Sequence, residues 1–205
     1  MKPAQHLIPY FAVLIGLYVF ESAWLTILTY HGSILLVVWK EKQLSEFRKL
    51  FAGWRAPTCG ALLLFGLGGG IILFILGPRI GIQAEPMGSA LNKIGLGGSG
   101  FLLFVVYHSL INPWLEEVYW RGYLGSGSKK IVPGDLLFAG YHLLVLTMFV
   151  EWIWLVVAFL LLSFAAWLWR QIATGHKGLS VPALSHLAAD GSIMFAVWRL
   201  TGLDY

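Results

Sequence analysis

Residues 7–39 form one apolar stretch interrupted by Glu21, His31 and Gly32, and further apolar stretches follow at 58–78, 99–123, 133–150, 152–169 and 179–198. These runs are continuous rather than alternating at period two, which argues for helices and against a transmembrane β-barrel. A helix needs about 20 residues to cross the hydrocarbon core of a bilayer, so this chain has room for about 6–8 spans joined by short loops. Composition agrees. The chain is 58% hydrophobic and 12% charged, with a mean hydropathy of +0.76. A soluble domain carries about 25% charged residues, so there is too little charge here to cover a water-facing surface. The hydrophobicity also excludes disorder. Cys59 is the single cysteine, which excludes a framework of internal disulfides. The expectation is an all-α polytopic transmembrane helical bundle, a single membrane domain over residues 1–205, solvated by the lipid bilayer. The net charge of +4 is read as membrane orientation, and no nucleic-acid partner is expected.

The 7–39 stretch is long for one span and short for two. One long helix with a stub satisfies it, and so do two tight helices divided near Glu21. It is too long for a signal peptide and lacks a small-residue cleavage site. Residues 40–55 concentrate positive charge in Lys40, Lys42, Arg48, Lys49 and Arg55, which places that loop in the cytoplasm. Alternation then puts 79–98, read as a Gly-rich loop, outside, 121–132 inside, the turn at 150–152 outside and the short polar turn 170–178 inside. Arg121, Lys129, Lys130, Arg170 and Lys177 fall on the inside, in agreement. Gly66, Gly68, Gly69 and Gly70 read as a close helix contact. Residues 1–98 thus supply N-terminal spans and a basic cytoplasmic loop, and 99–200 carry the chemistry. A chain of spans and short loops fits a prokaryotic inner membrane.

Charged groups deep in a bilayer cost roughly 2.5–3.5 kcal/mol each on insertion scales and normally mark function. Glu116-Glu117-Val118-Tyr119-Trp120-Arg121 places Glu117 and Arg121 at i and i+4, on one helix face, where they can pair. Glu116 sits about 100° further round and is turned away from Arg121. The alternative is a plain interfacial ion pair. Phe138-Ala139-Gly140-Tyr141-His142 carries a histidine that is either functional or hydrogen-bonded to a neighbouring helix, with Gly140 allowing close approach. His186-Leu187-Ala188-Ala189-Asp190 again spaces two polar groups at i and i+4, as a functional pair or a self-satisfied one. Counted at about 1.5 Å per residue from the cytoplasmic ends of their spans, Glu116, His142 and His186 all fall roughly 10–14 Å deep. That common level points to one polar pocket open to the cytoplasm.

Such a pocket suits hydrolysis. A carboxylate acts as general base on a water that a histidine orients, and a second polar pair stabilises an oxyanion. Two histidines and a glutamate also make a common zinc arrangement. The metal ligands would then be Glu116, His142 and His186, although Arg121 close by argues against a dication.

These motifs, in this order, resemble the CAAX protease and bacteriocin-processing (CPBP, or ABI) family of intramembrane proteases, which shows EExxxR, then FxxxH, then HxxxN or HxxxD. The resemblance covers residues 100–200. It implies a glutamic-type peptide hydrolase in which Glu116 activates the water with help from His142. His186 and Asp190 form the oxyanion side, and Glu117 and Arg121 shape the site. It implies no resident cofactor, with zinc as the older alternative for the family. The substrate it implies is a membrane-anchored or lipid-modified protein or peptide. Asp190 stands where the prenyl-protein enzymes have Asn. An ionised carboxylate cannot donate to an oxyanion, so Asp190 is either protonated or orients His186.

Two other functions use the same residues. A transporter would employ the Glu and His groups as a proton relay, and a non-catalytic scaffold would retain them as a polar core. The remaining polar groups receive plainer readings. Glu21 pairs with another helix or marks a break, His108 packs, and His31 lies near an interface. His6 and His176 lie near water, Glu151 at the outer boundary, and Cys59 is a small buried residue.

Overall fold

The structure is a computed structural model that describes residues 4–80 and 84–201. Helices dominate it, and no strand occurs among the described residues. The 7–39 stretch is two helices. α1, Ile8–Val13, follows a short 3-10 turn and continues as the π-helical segment Leu14–Val19. α2 spans Ala23–Lys40. Glu21, with φ of 48°, makes the break, and the Ser22 hydroxyl accepts from the Leu25 N–H at 3.2 Å to start α2. Glu21 also pairs with Lys93 at 3.1 Å, so both readings of that residue hold.

A 3-10 segment, Leu44–Phe51, follows α2, and then come α3, Ala56–Leu76, and α4, Ala84–Lys93. The 79–98 segment is therefore not the Gly-rich loop its composition suggests. Its ten-residue helix α4 contains only one glycine, Gly88, and the turn glycines with positive φ, Gly95 and Gly98, lie beyond it. α5 is Ser99–Glu116 and passes into a π-helical segment, Glu117–Tyr123. α6 is Pro133–Leu146, α7 is Trp152–His176 and α8 is Ser180–Thr201. α7 thus absorbs most of the expected 170–178 turn and stops at Lys177, which takes a left-handed φ of 53°.

α8 is the central helix, packed along α3 and against α5 and α7. Two of the α3 glycines permit this. A Cβ on Gly66 would stand 2.2 Å from the Ser185 carbonyl oxygen, and one on Gly70 would stand 2.3 Å from the Ser192 backbone. The two helices then cross-bond, with Ser185 Oγ donating to Leu62 O at 2.8 Å and Ser192 Oγ to Gly66 O at 3.3 Å. Small residues combined with hydroxyl groups are the means by which helices associate where no hydrophobic force acts between them. Gly68 faces open space.

Chain segments assemble at two ends. At one end, Leu179 N donates to Lys49 O at 2.7 Å and Ser180 N to Ala52 O at 3.3 Å. There Arg170, 4% exposed, pairs with Asp135 at 2.7 Å and donates to the carbonyls of Ser126, Ser128 and Lys130. The Tyr119 hydroxyl reaches Gln5 O at 2.6 Å. At the other end, Ala23 N donates to Ile94 O at 2.9 Å beside the Glu21–Lys93 pair. The basic 40–55 segment, the 124–132 loop and the start of α8 therefore share one end, as alternating helices require.

Among the described residues, three helices, Ala23–Lys40, Ala56–Arg79 and Trp152–His176, are long and apolar enough to cross a membrane, and Gln5–Val19 and Pro133–Leu146 are shorter apolar helices. Their outer faces expose Leu64, Ile71 and Phe74 on α3 and Leu160 and Leu161 on α7. Such faces are costly in water and favourable in lipid.

Candidate active site

Pro113 lies inside α5. A proline there has no N–H for the carbonyl four residues back, and it loosens the helix. The wider π-helical turn begins four residues later, at Glu117. π-Bulges of this kind are frequent at functional sites. His108, Asn112 and Glu116 repeat at four-residue spacing and share one face of α5.

Glu117 is fully buried and its charge is met twice. Arg121 Nη1 stands 3.0 Å from Oε1, and His186 Nδ1 approaches the same oxygen at 2.9 Å. The Arg121 guanidinium lies 4.2 Å from the centroid of the Phe138 ring and 5.0 Å from that of Trp169. The His186 ring stacks on Trp169 at 4.4 Å. Three helices thus hold one histidine in a fixed orientation. Its Nε2 faces Glu116 Oε2 and Asp190 Oδ1, each at 3.5 Å.

Glu116 is also fully buried. Two phenols hold its Oε1. Tyr30 of α2 donates at 2.7 Å, and Tyr141 of α6 donates as well. Tyr30 in turn accepts from Trp120 Nε1 at 2.9 Å. Oε2 has the longer contacts, to Asn112 Nδ2 at 3.4 Å and to His186. His142 does not touch Glu116 directly. Its Nδ1 donates to Phe138 O at 2.8 Å, and its Nε2 lies 3.1 Å from the Tyr141 hydroxyl. Gly140 makes room at this point for Tyr10 of α1, whose hydroxyl would stand 2.3 Å from a Cβ there.

Asp190 accepts from Asn112 Nδ2 at 3.0 Å and stands 3.5 Å from His108 Nδ1. Asn112 Oδ1 lies 3.1 Å from His31 Nε2, and His31 Nδ1 lies 2.9 Å from the Tyr107 hydroxyl. Exposure rises across the cluster. Glu116 and Glu117 have none, the Asp190 side chain is 13% exposed and that of His108 is 26% exposed. A small cleft at the basic end reaches Arg121, Phe138, Asp135 and Arg170, but not Glu116, His142, His186 or Asp190.

The structure therefore brings Glu116, Glu117, Arg121, His186 and Asp190 into one connected cluster centred on His186, and it places His142 one hydroxyl away. Several participants were not singled out in the sequence. Asn112 was legible, because it lies one helical turn before Glu116. Tyr141, beside His142, was legible only as a neighbour. Tyr30 carries no local signal, because its role comes entirely from the packing of α2 on α5. Two histidine readings are corrected. His31 is buried and hydrogen-bonded rather than at an interface. His6 is 6% exposed and sits against Trp120 rather than near water. His108 does pack, stacked on Phe104 at 5.7 Å, but it also reaches Asp190. His176 is half-buried, bonded to Gly53 O at 3.1 Å. Cys59 is a small buried residue, as read.

Among the described residues, no three or more His, Cys, Asp or Glu side chains stand where they could hold a metal ion. Of the trio Glu116, His142 and His186, the glutamate has one oxygen committed to two phenols, and His142 faces Tyr141. What the cluster can do is hold a carboxylate and two imidazoles out of water beside further donors, an arrangement for moving protons. Compared with protein-family models, with curated proteins and with solved structures, the chain matches none of them.

Proposed function

We propose that the chain is a multi-pass intramembrane endopeptidase of the CAAX-protease and bacteriocin-processing kind. It hydrolyses a peptide bond of a membrane-anchored or lipid-modified protein or peptide in a prokaryotic inner membrane, with its basic end in the cytoplasm. The observation that carries this reading is the convergence of Glu116 from one motif and His186 and Asp190 from another onto one buried cluster, with His142 of the third joined through Tyr141. Glu116 Oε2, the oxygen not held by phenols, takes a proton from the attacking water. His142 Nε2 serves the leaving nitrogen. His186, locked by Glu117, and Asn112 donate to the carbonyl oxygen as it becomes negative. Asp190 orients His186 and Asn112, a role that does not require it to be protonated. The buried cluster must open to admit substrate, and the Asp190–His108 side is the less covered one.

Co-expression with candidate membrane-anchored substrates tests this, comparing unsubstituted protein, Glu116→Ala and added chelator. Cleavage lost in the variant and kept with chelator is the expected result. Cleavage lost with chelator restores a metal. Full cleavage by Glu116→Ala removes the assignment.

The unbroken run Tyr141–Glu116–Asn112–His31–Tyr107 favours a second reading, a proton relay in a carrier. That reading predicts proton flux across proteoliposome membranes without peptide cleavage.

A further inference from the structure

Tyr141 has one hydroxyl proton and two neighbours able to take it. Its oxygen is hydrogen-bonded to Glu116 Oε1 and lies 3.1 Å from His142 Nε2. A backbone carbonyl can only accept, so the 2.8 Å contact to Phe138 O fixes a proton on His142 Nδ1. In neutral His142, Nε2 is then a bare lone pair. With Glu116 ionised, Tyr141 satisfies Oε1 or Nε2 and not both. Tyr30 already donates to Oε1 and accepts from Trp120, so it offers nothing to Nε2, and turning the Tyr141 proton to Nε2 leaves the Tyr141 oxygen facing the Glu116 carboxylate with no proton between them.

One added proton completes the network, and it has two places. On His142 Nε2 it is donated to the Tyr141 oxygen, while Tyr141 donates to the carboxylate. On Glu116 Oε2 it weakens the carboxyl as an acceptor, and Tyr141 turns its proton to Nε2. The two states differ by the address of one proton and the rotation of one hydroxyl.

We infer that Tyr141 is a positioning residue that couples Glu116 to His142, its hydroxyl proton following the charge of the carboxylate. The site then holds one proton, which enters turnover on His142 and leaves it on Glu116. This rests on the hydrolase reading. As the water oxygen bonds to the carbonyl carbon, one water proton passes to Glu116 Oε2 and the carbonyl π pair moves to its oxygen. When that pair returns, the C–N bond breaks, its electrons stay on nitrogen, and nitrogen takes the proton from His142 Nε2. The proton count of the site is unchanged, and transfer from Glu116 back to His142 resets it.

Nitrogen-15 spectra of histidine-labelled full-length protein in detergent micelles test the link, with His142 assigned by its loss in His142→Gln. The expected result is a proton on Nδ1 and an Nε2 resonance that moves on Glu116→Gln. That movement is absent in the Tyr141→Phe background and kept in the Tyr30→Phe background. Equal movement in all backgrounds overturns the link. So does a bare Nδ1 in the unsubstituted protein, a result that needs no variant to fold. In the cleavage assay, Tyr141→Phe lowers kcat by about 10²-fold with KM unchanged. Coupling through Tyr141 in a protein that cleaves nothing upholds the link and sinks the hydrolase reading. Cleavage without coupling sinks the link alone.

Discussion

The Asn112 side-chain amide donates to Asp190 Oδ2 at 3.0 Å, tying α5 to α8 at the centre of the polar cluster. The same amide lies 3.4 Å from Glu116 Oε2, so a neutral donor separates two buried carboxylates. Asn112→Ala leaves both acceptors and His31 short of a partner. It should destabilise the protein by about 1–3 kcal/mol, seen as a lower melting temperature in detergent. Asn112→Asp should be worse, because it places a third carboxylate between two. A melting curve for Asn112→Asp that matches the unsubstituted protein contradicts this account.

The α3–α8 contact makes a position-specific prediction. Gly66→Ala and Gly70→Ala drive a methyl group into the α8 backbone and should each cost about 1–3 kcal/mol. Gly68→Ala meets nothing within 4 Å and should hold or gain up to about 1 kcal/mol through helix propensity. Melting temperatures of the three variants check the order.

Arg170 holds the loop between the π-helical segment and α6 through Asp135 and three carbonyls. Asp135→Ala leaves a buried guanidinium without its counter-charge, at a cost of about 3–5 kcal/mol. The loop should loosen first. Trypsin should therefore cut at Lys129 and Lys130 much faster in the variant, and unchanged cutting would show that Arg170 does not anchor the loop.

What the sequence revealed and what it hid divide along a physical line. Glu117–Arg121 and His186–Asp190 were legible because i and i+4 spacing brings side chains together within one helix whatever the tertiary fold. The Glu21 break was one of two divisions that the sequence left open, suggested by a charge inside an apolar run and decided by the left-handed backbone at Glu21. The hidden groups are those whose roles depend on contacts between helices. Tyr30 lies 86 residues from Glu116 in sequence, and nothing near it announces a carboxylate partner. His31 carried the same ambiguity. α4 was hidden because glycines at its margins made the whole 79–98 segment look like loop. Glu116 and His142, which the resemblance pairs in activating the water, are joined by a phenol bridge, a detail set by how α6 packs and not by the FxxxH spacing.

The central claim is that Glu116 is the base that activates water. Its most direct test is the cleavage rate of purified Glu116→Gln in detergent, on a membrane-anchored substrate identified by co-expression, beside a melting curve showing that the variant is folded. Glutamine preserves the shape and can still accept from Tyr30 and Tyr141, but it cannot take a proton. The account predicts a fall in kcat of about 10²–10⁴-fold with KM little changed. A folded Glu116→Gln protein that cleaves at the unsubstituted rate would contradict it.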